Sequence, residues 1–482
     1  MDNNNRDMFL TLETSLLVLI VSYLPFKEAV RTSILSKQWR NVWCETTNLE
    51  FHEKFFVNLE KTDKNQRIQR SSFFDFVRKF LACYPGYSKF CNVLLKTKWF
   101  PYRCAKLWSW NFSDPTWREE DDPEKHPAVV ELPFQVYQHV GLESLKLFSC
   151  NFDVSRFKNF TVLKGVSLGW IEINLASIKT LLLSCPLLKS LGLKKCWNID
   201  HLEICLPNWR LKNLYIDKCN FIQDFFWIEG PNLQFLKYSG KVGRFHMYNQ
   251  REIVEANLNF GMEPEFGEIG LLLYDFLQEF LAVKVLTVCS VLLQLIIFEH
   301  CTHHLNWKLE LCHSFWNSKF FAVVLMVPLG EEPFNLQASL NVRHLILKTA
   351  MHAYEFYGIR FMFRSCPKLE ILTFDIGPAK IFPDYEPPFE LNPHEFWSRN
   401  AKIDHCIHRS LKVVNVKGFK GTMNELYVLR YIINCGRKLR KLNLFIANKE
   451  DDNGQNRKSY MAKARLVKKF QSSSRKLQLL VF

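Results

Sequence analysis

At 482 residues the chain is too long for one ordinary core, so several domains or an elongated array of repeats are expected. Its 48% hydrophobic and 15% aromatic content, with 42 Phe against only 18 Gly and 19 Pro, excludes long disordered tracts. The formal charge of +15 admits an acidic protein, a nucleic acid or a membrane surface as partner without choosing among them, and the odd count of 15 Cys points to reduced thiols in the cytosol or nucleus.

The first element is a helix. Leu12, Leu16, Leu17, Ile20, Val21 and Leu24 form a stripe, while Val18, Leu19 and Tyr23 make the opposite side apolar too, so it needs cover on two sides. A core helix and a partner-facing helix are both open at this point. The run is bounded by Glu13 and by Pro25-Phe26-Lys27, short of the roughly 20 apolar residues of a membrane span. No small-residue cleavage pattern follows Tyr23, which argues against a signal peptide. Pro25 forces a turn at Leu24, and a second helix begins near Lys27 with Ala29, Val30, Ser33 and Ile34 on one face. Leu35-Ser36 reads as a helix end whose hydroxyl caps the next segment, where Trp39, Val42 and Trp43 share a face. Three helices this short bury little surface alone, which suggests a docking module.

This segment resembles the F-box of plant F-box proteins, with Leu24, Pro25, Ala29, Val30, Ser33, Leu35, Ser36, Trp39, Arg40 and Trp43 at the motif positions. The start departs from the pattern: where the family usually has Leu-Pro-Asp-Glu, this chain has Leu12-Glu13-Thr14-Ser15, and Glu13 replaces a contact proline. The resemblance implies a Skp-type adaptor as partner, with cullin and RING subunits behind it. It suggests Leu24, Pro25, Leu35 and Trp43 as adaptor contacts, with Val30, Ile34 and Trp39 serving the helical core equally well.

Residues 51–130 show no clean repeat; Phe73, Phe76, Val77, Phe80 and Leu81 suggest one helix of an N-terminal cap or connecting region, and the charged run Arg118 to Glu124 is a solvated excursion. From 131 to 390 the register L-x-x-L-x-L-x-x-N/C-x-L recurs, as in leucine-rich repeats. Leu142, Leu145, Leu147, Cys150 and Phe152 match it, as do Leu211, Leu214, Ile216, Cys219 and Phe221. Leu188, Leu191, Leu193 and Cys196 give a third copy, with Ile199 one place late. Weaker copies start near Leu163, Leu233, Val254, Val283, Val342, Leu369 and Leu439. From 142 to 254 the steps are 21, 25, 23, 22 and 21 residues, within the repeat's period. Cys185-Pro186, Cys366-Pro367 and Cys435-Gly436 each read as a helix end feeding the next strand, so with Cys150, Cys196, Cys219 and Cys289 seven cysteines acquire structural roles.

Beyond 391, Leu411, Val413 and Val414 begin a strand, Asn424-Glu425 opens a helix carrying Leu426, Leu429, Ile432 and Ile433, and another strand follows. The block resembles the FBD domain at Leu411, Lys412, Gly418, Phe419, Gly421, Glu425, Leu426, Leu442 and Leu444, with Trp397 and Cys406 upstream. F-box, repeats and FBD in this order are similar to the plant F-box/FBD/LRR-repeat family. The expected fold is α/β: an F-box of three helices over 1–50, a connecting region over 51–130, an irregular leucine-rich-repeat horseshoe over 131–390, and an FBD-type strand-helix-strand cap over 391–482 ending in a basic tail. In that tail, Arg457 to Lys476, eight Lys and Arg occur without an acidic residue; a solvated helix face comes first, nuclear targeting or an acidic partner second, nucleic acid third.

His300, Cys301, His303, His304, Cys312 and His313 lack the paired spacing of structural zinc, and Asn306 to Leu311 reads as an inward strand, so no metal is expected. Asp404, His405, Cys406 and His408 weigh still less. No P-loop, no dinucleotide-binding glycine motif and no nucleophile elbow occurs, so neither catalytic residue nor cofactor is expected. The resemblance implies an intracellular, non-catalytic substrate-recognition subunit of an SCF-type ubiquitin ligase, its repeats binding an unknown protein and neither membrane nor nucleic acid. An interaction protein that has lost ligase assembly is the alternative, and a basic nucleic-acid binder the third reading.

Overall fold

The computed structural model describes residues 12–45, 48–52, 107–111, 141–151, 153–157, 160–205, 210–248, 252–261, 269–295, 338–377, 392–398, 403–448 and 457–482, with isolated positions at 65–79, 132, 137 and 336. The chain divides into two compact units, Met1–Gln223 and Asp224–Phe482.

The first unit begins with α1 (Thr14–Ser22) and α2 (Phe26–Arg31), followed by 3-10 turns at Thr32–Ile34 and Val42–Glu45. The third helical segment is therefore 3-10 where an α-helix was expected. Pro25 caps α2 in an extended conformation, and its carbonyl accepts from Ala29 N at 2.9 Å, the opening bond proline permits because it needs no donor there. Leu17, Val18, Val21, Ala29, Trp39 and Val42 form the core of this piece, with Leu12, Leu24 and Trp43 packed around it. The inward face of α1 is thus one residue off the expected stripe: Val18 is inside, Leu16 and Ile20 outside. Farther on, Phe73 and Phe76 are helical as expected, with Phe73 buried and Phe76 exposed.

Strands β1 (Asn48–His52), β2 (Leu107–Asn111), β3 (Ser144–Phe148), β4 (Gly165–Gly169), β5 (Ser190–Lys194) and β7 (Asn213–Asp217) pair in parallel in that order, with β6 (Leu202–Cys205) outside this ladder. The repeat register decides the stack. Leu145, Val166, Leu191 and Leu214 stand side by side, and so do Leu147, Leu168, Leu193 and Ile216, all buried. Strands β3, β4, β5 and β7 are each followed by a non-glycine residue in the left-handed region, Ser149, Trp170, Lys195 and Lys218, at φ between 47° and 52°. The cost of that conformation is offset by backbone bonds to the neighbouring repeat: Ser149 N to Gly169 O at 2.8 Å, Trp170 N to Lys194 O at 2.9 Å and Lys195 N to Asp217 O at 2.7 Å. Behind the turns Cys150, Cys196 and Cys219 are buried, and the Cys196 thiol points at Leu168 O, 3.7 Å away. Burial pushes the Cys150 thiol up to about 12, which leaves it unreactive at neutral pH. Between strands, α3 (Leu175–Ser184) is capped by Asn174, whose Oδ1 accepts from Ser177 N, and ends at Cys185 as expected.

In the second unit β9 (Phe235–Gly240), β11 (Glu255–Phe260), β12 (Val285–Cys289), β13 (His344–Thr349), β14 (Ile371–Ile376), β15 (Val413–Phe419), β16 (Lys441–Ile446) and β17 (Gln478–Val481) pair in parallel in that order. Strands β8 (Phe225–Glu229) and β10 (Arg244–Tyr248) pair separately. The helices are α4 (Ile269–Gln278), α5 (Ser290–Leu295), α6 (Phe356–Ser365), α7 (Pro393–Ser398), α8 (His405–Arg409), α9 (Met423–Cys435) and α10 (Arg457–Val467). At β11 the repeat anchor is Ile253 and not Val254, which is exposed; Ala256 and Leu258 then follow as the inward pair. Leu411, Val414 and Val416 repeat that spacing at β15, and Leu439, Leu442 and Leu444 repeat it at β16, all buried. The C-terminal block is therefore a continuation of the solenoid by the same rule, paired to β14 through Ile371↔Val413 and Asp375↔Lys417. The histidine and cysteine cluster between 300 and 313, and the strand expected at 306–311, lie outside the described residues.

Candidate docking site

Helix α1 carries two apolar stripes. Leu17, Val18 and Val21 face the core, whereas Leu16, Leu19, Ile20 and Tyr23, at spacings of three, one and three residues, lie on the outward face. Tyr23 is 82% exposed, Ile34 84% and Leu35 65%, values typical of lysine and not of large apolar side chains. Together they leave the folded helical piece with an uncovered apolar surface, and Arg31, Lys37 and Arg40 are exposed on the same small module.

The four expected contact residues divide. Pro25 and Leu35 are in solvent, while Leu24 and Trp43 are half-buried against the core cluster. Trp43 donates from Nε1 to Arg40 O at 3.0 Å and meets Phe26 edge-on at 6.3 Å between centroids, so part of its ring is fixed by the fold. Trp39 belongs to the core and Ile34 does not. Tyr23 was legible only as part of the opposite side of α1; the structure makes it one of the most exposed rings.

Glu13, the departure from the motif, precedes α1 with φ −65° and ψ 146°, the backbone angles that proline itself adopts in extended chain. Its carbonyl accepts from Leu16 N at 3.0 Å and Leu17 N at 3.2 Å, and Gln38 donates to the carbonyl of Leu12 at 2.7 Å, tying the first turn to the third segment. The substitution keeps the turn's shape and replaces an apolar ring by an exposed carboxylate.

Three family models match the chain: an F-box domain over 9–49, the At1g61320/AtMIF1 LRR domain over 132–267 and FBD over 405–444. Among relatives, F-box protein At3g62230 of Arabidopsis thaliana is 31% identical over 456 residues, covering 91% of each chain. Two further Arabidopsis thaliana proteins named as candidate F-box/LRR-repeat proteins, At1g56400 and At5g54820, are 31% and 30% identical over 90% and 93% of this chain and 87% and 93% of their own. The chain belongs to the plant F-box/FBD/LRR-repeat family.

In this F-box/FBD/LRR-repeat protein the FBD motif residues are scaffold. Leu411, Phe419, Leu442 and Leu444 are buried, Trp397 packs against Phe356 at 5.4 Å and Tyr431 at 5.2 Å, and Lys412 pairs with Glu370 at 2.9 Å. Gly418 and Gly421 have φ of 73° and 67°; at Gly418 a Cβ would collide with the carbonyl of Ile376. Asp404 is buried with its carboxylate accepting from Tyr431 Oη at 2.8 Å and lying 3.7 Å and 3.5 Å from Arg360 and Arg364. Burial pushes that carboxyl up, and Tyr431 and the two arginines pull it back in part. This is a structural tie between α6, α8 and α9. Cys406 is buried beside it and His408 Nδ1 pairs with Cys435 O at 3.3 Å, so these residues are not gathered into a site. Among the described residues no group of three or more His, Cys, Asp or Glu is placed to hold a metal, and no helix is long and apolar enough to cross a membrane.

Proposed function

We propose that this protein is an intracellular substrate-recognition subunit of an SCF-type ubiquitin ligase, its F-box docking on a Skp-type adaptor and its repeats holding the target protein. The observation that carries this is the uncovered apolar face of Leu16, Leu19, Ile20, Tyr23, Ile34 and Leu35 on a module whose own core is already filled. A partner burying those side chains gains roughly 25 cal/mol for each Å² of apolar area removed from water. Leu24, Pro25, Leu35 and Trp43 are the proposed contacts, with Tyr23 and Ile34 added. The chain supplies no acid, base or nucleophile: it raises the effective concentration of a target lysine near a thioester carried by another protein.

A pull-down with a Skp-type adaptor tests this. Saturable binding that Tyr23→Asp with Leu35→Asp abolishes, while the circular dichroism spectrum is kept, supports the reading; both side chains lie outside the core, so misfolding is not the expected cause of loss. Absence of binding sinks it. Glu13 favours the second reading, an interaction protein without ligase assembly, because it sets a charge where the family has a contact proline; Glu13→Pro restoring adaptor binding to a non-binding chain would decide for that reading.

A further inference from the structure

The outward faces of the last three strands, β15, β16 and β17, differ in character from the FBD motif positions that hold them. Val413, Lys441 and Gln478 stand in register, as do Asn415, Asn443 and Leu480, and Lys417 is beside Phe445. Phe445 stacks on Phe482 with centroids 4.8 Å apart and planes at 14°. Phe445 is 38% exposed, Leu480 43% and Phe482 52%, and Lys417 and Lys441 are exposed beside them. The floor between is fixed: Asn443 donates to Asn415 Oδ1 at 2.8 Å, and Asn415 donates to Thr373 Oγ1 at 3.2 Å. None of these outward residues on the three strands is acidic, and from Arg457 to Phe482 the sequence contains no Asp or Glu. Two carboxylates on the neighbouring strands already have lysines beside them: Asp375 stands in register between Lys348 and Lys417, and Lys412 engages Glu370.

We infer that this face of the C-terminal block is a docking surface for an acidic protein segment carrying a large apolar anchor. Resting on the reading of the repeats as the target-binding part, it names the chemistry of the target. Phe445, Leu480 and Phe482 receive the anchor, which explains three apolar side chains left in water on β16, on β17 and just after it. Lys417 and Lys441 face the carboxylates, and the hydrogen-bonded asparagines hold the platform rigid so that little is lost in ordering it. A nucleic acid would use the lysines and not the aliphatic Leu480, and therefore ranks below a protein.

Selection of a displayed library of random decapeptides on the purified full chain tests the inference, with Phe445→Ala/Phe482→Ala and Lys417→Gln/Lys441→Gln variants as controls whose thermal melts show that they fold. Recovered peptides are expected to pair Asp or Glu with a large apolar residue. Their affinity is expected to fall about tenfold or more in the alanine variant and about threefold, more at low salt, in the glutamine variant. Peptides that are basic, that bind the alanine variant equally well or that a single-stranded oligonucleotide displaces overturn the inference, and so does the absence of enrichment. Adaptor binding measured on the same preparations separates the two claims: its retention in any of those outcomes leaves the ligase reading standing, and its loss with acidic-apolar selection intact removes only that reading.

Discussion

Glu355 and Glu425 occupy the same place in two turns of the solenoid and do the same work. Glu355 accepts from Thr349 Oγ1 at 2.7 Å and His352 N at 2.7 Å, and Glu425 accepts from Lys420 N at 3.0 Å, Gly421 N at 2.9 Å and Thr422 Oγ1 at 3.1 Å. In each case a buried carboxylate satisfies the backbone donors of the turn that leads from strand to helix. Glu425→Ala is expected to cost about 3 kcal/mol, because two backbone N–H groups lose their acceptor, whereas Glu425→Gln keeps one oxygen and costs about 1 kcal/mol. Burial raises the Glu425 carboxyl above its ordinary range, so the folded chain holds that proton more tightly than the unfolded chain. Its contribution is therefore largest below the ordinary carboxylate value and declines as pH rises through the raised one. Urea unfolding of the wild type and Glu425→Gln should show the wild type's advantage narrowing as pH rises above the ordinary carboxylate value; a gap that widens contradicts the assignment. At Gly418 the left-handed backbone and the Ile376 carbonyl leave no room for a side chain, and Gly418→Ala should lower stability by about 2 kcal/mol in the same measurement.

At the scale of elements, α1 shows how a helix can be apolar on two sides for two reasons, one stripe closing a core and the other left for a partner. Trp39→Ala removes a buried indole and should cost about 3–5 kcal/mol of the module's stability, abolishing protection of α1 amides in hydrogen exchange. Ile34→Ser changes stability by less than about 0.5 kcal/mol because the side chain is in water, yet should weaken adaptor binding. The strands of the repeats were legible because each depends on local spacing, anchor then inward pair, and a partner repeat supplies the same pattern. Where the spacing offers two adjacent apolar residues, as at Ile253-Val254, the choice reverses the faces, and only packing decides it. Strands β8 and β10 were not legible: Phe226, Ile228, Phe245 and Met247 carry their inward positions without the leucine register. The sequence placed Trp43 and Leu24 among the partner contacts, but their half-burial depends on how Phe26 and the 3-10 turn at Val42–Glu45 close over them, which spacing does not encode.

For the molecule as a whole, a solenoid in which each repeat touches mainly its neighbours is as stable as its ends allow. In the second unit α10 covers β16 and α9 with Tyr460, Ala464 and Val467, and β17 pairs the far edge of β16. Removing residues 457–482 therefore uncovers Leu442, Leu444 and Ile446 and frees the β16 edge for pairing with other chains. Two thiols report the consequence: Cys406 is buried and Cys435 half-buried, and burial raises both, so an alkylating reagent reacts faster with each when its repeat opens. In the truncated chain Cys435 should be alkylated first and Cys406 next, at rates at least about tenfold above the full chain, because opening costs that much less at an uncapped end. Cys150 and Cys196, in the first unit, should keep their rates. Equal acceleration of all four, followed by mass spectrometry of the labelled peptides, would mean that the molecule opens as one cooperative block; unchanged rates at Cys435 would mean that the terminal repeat closes nothing.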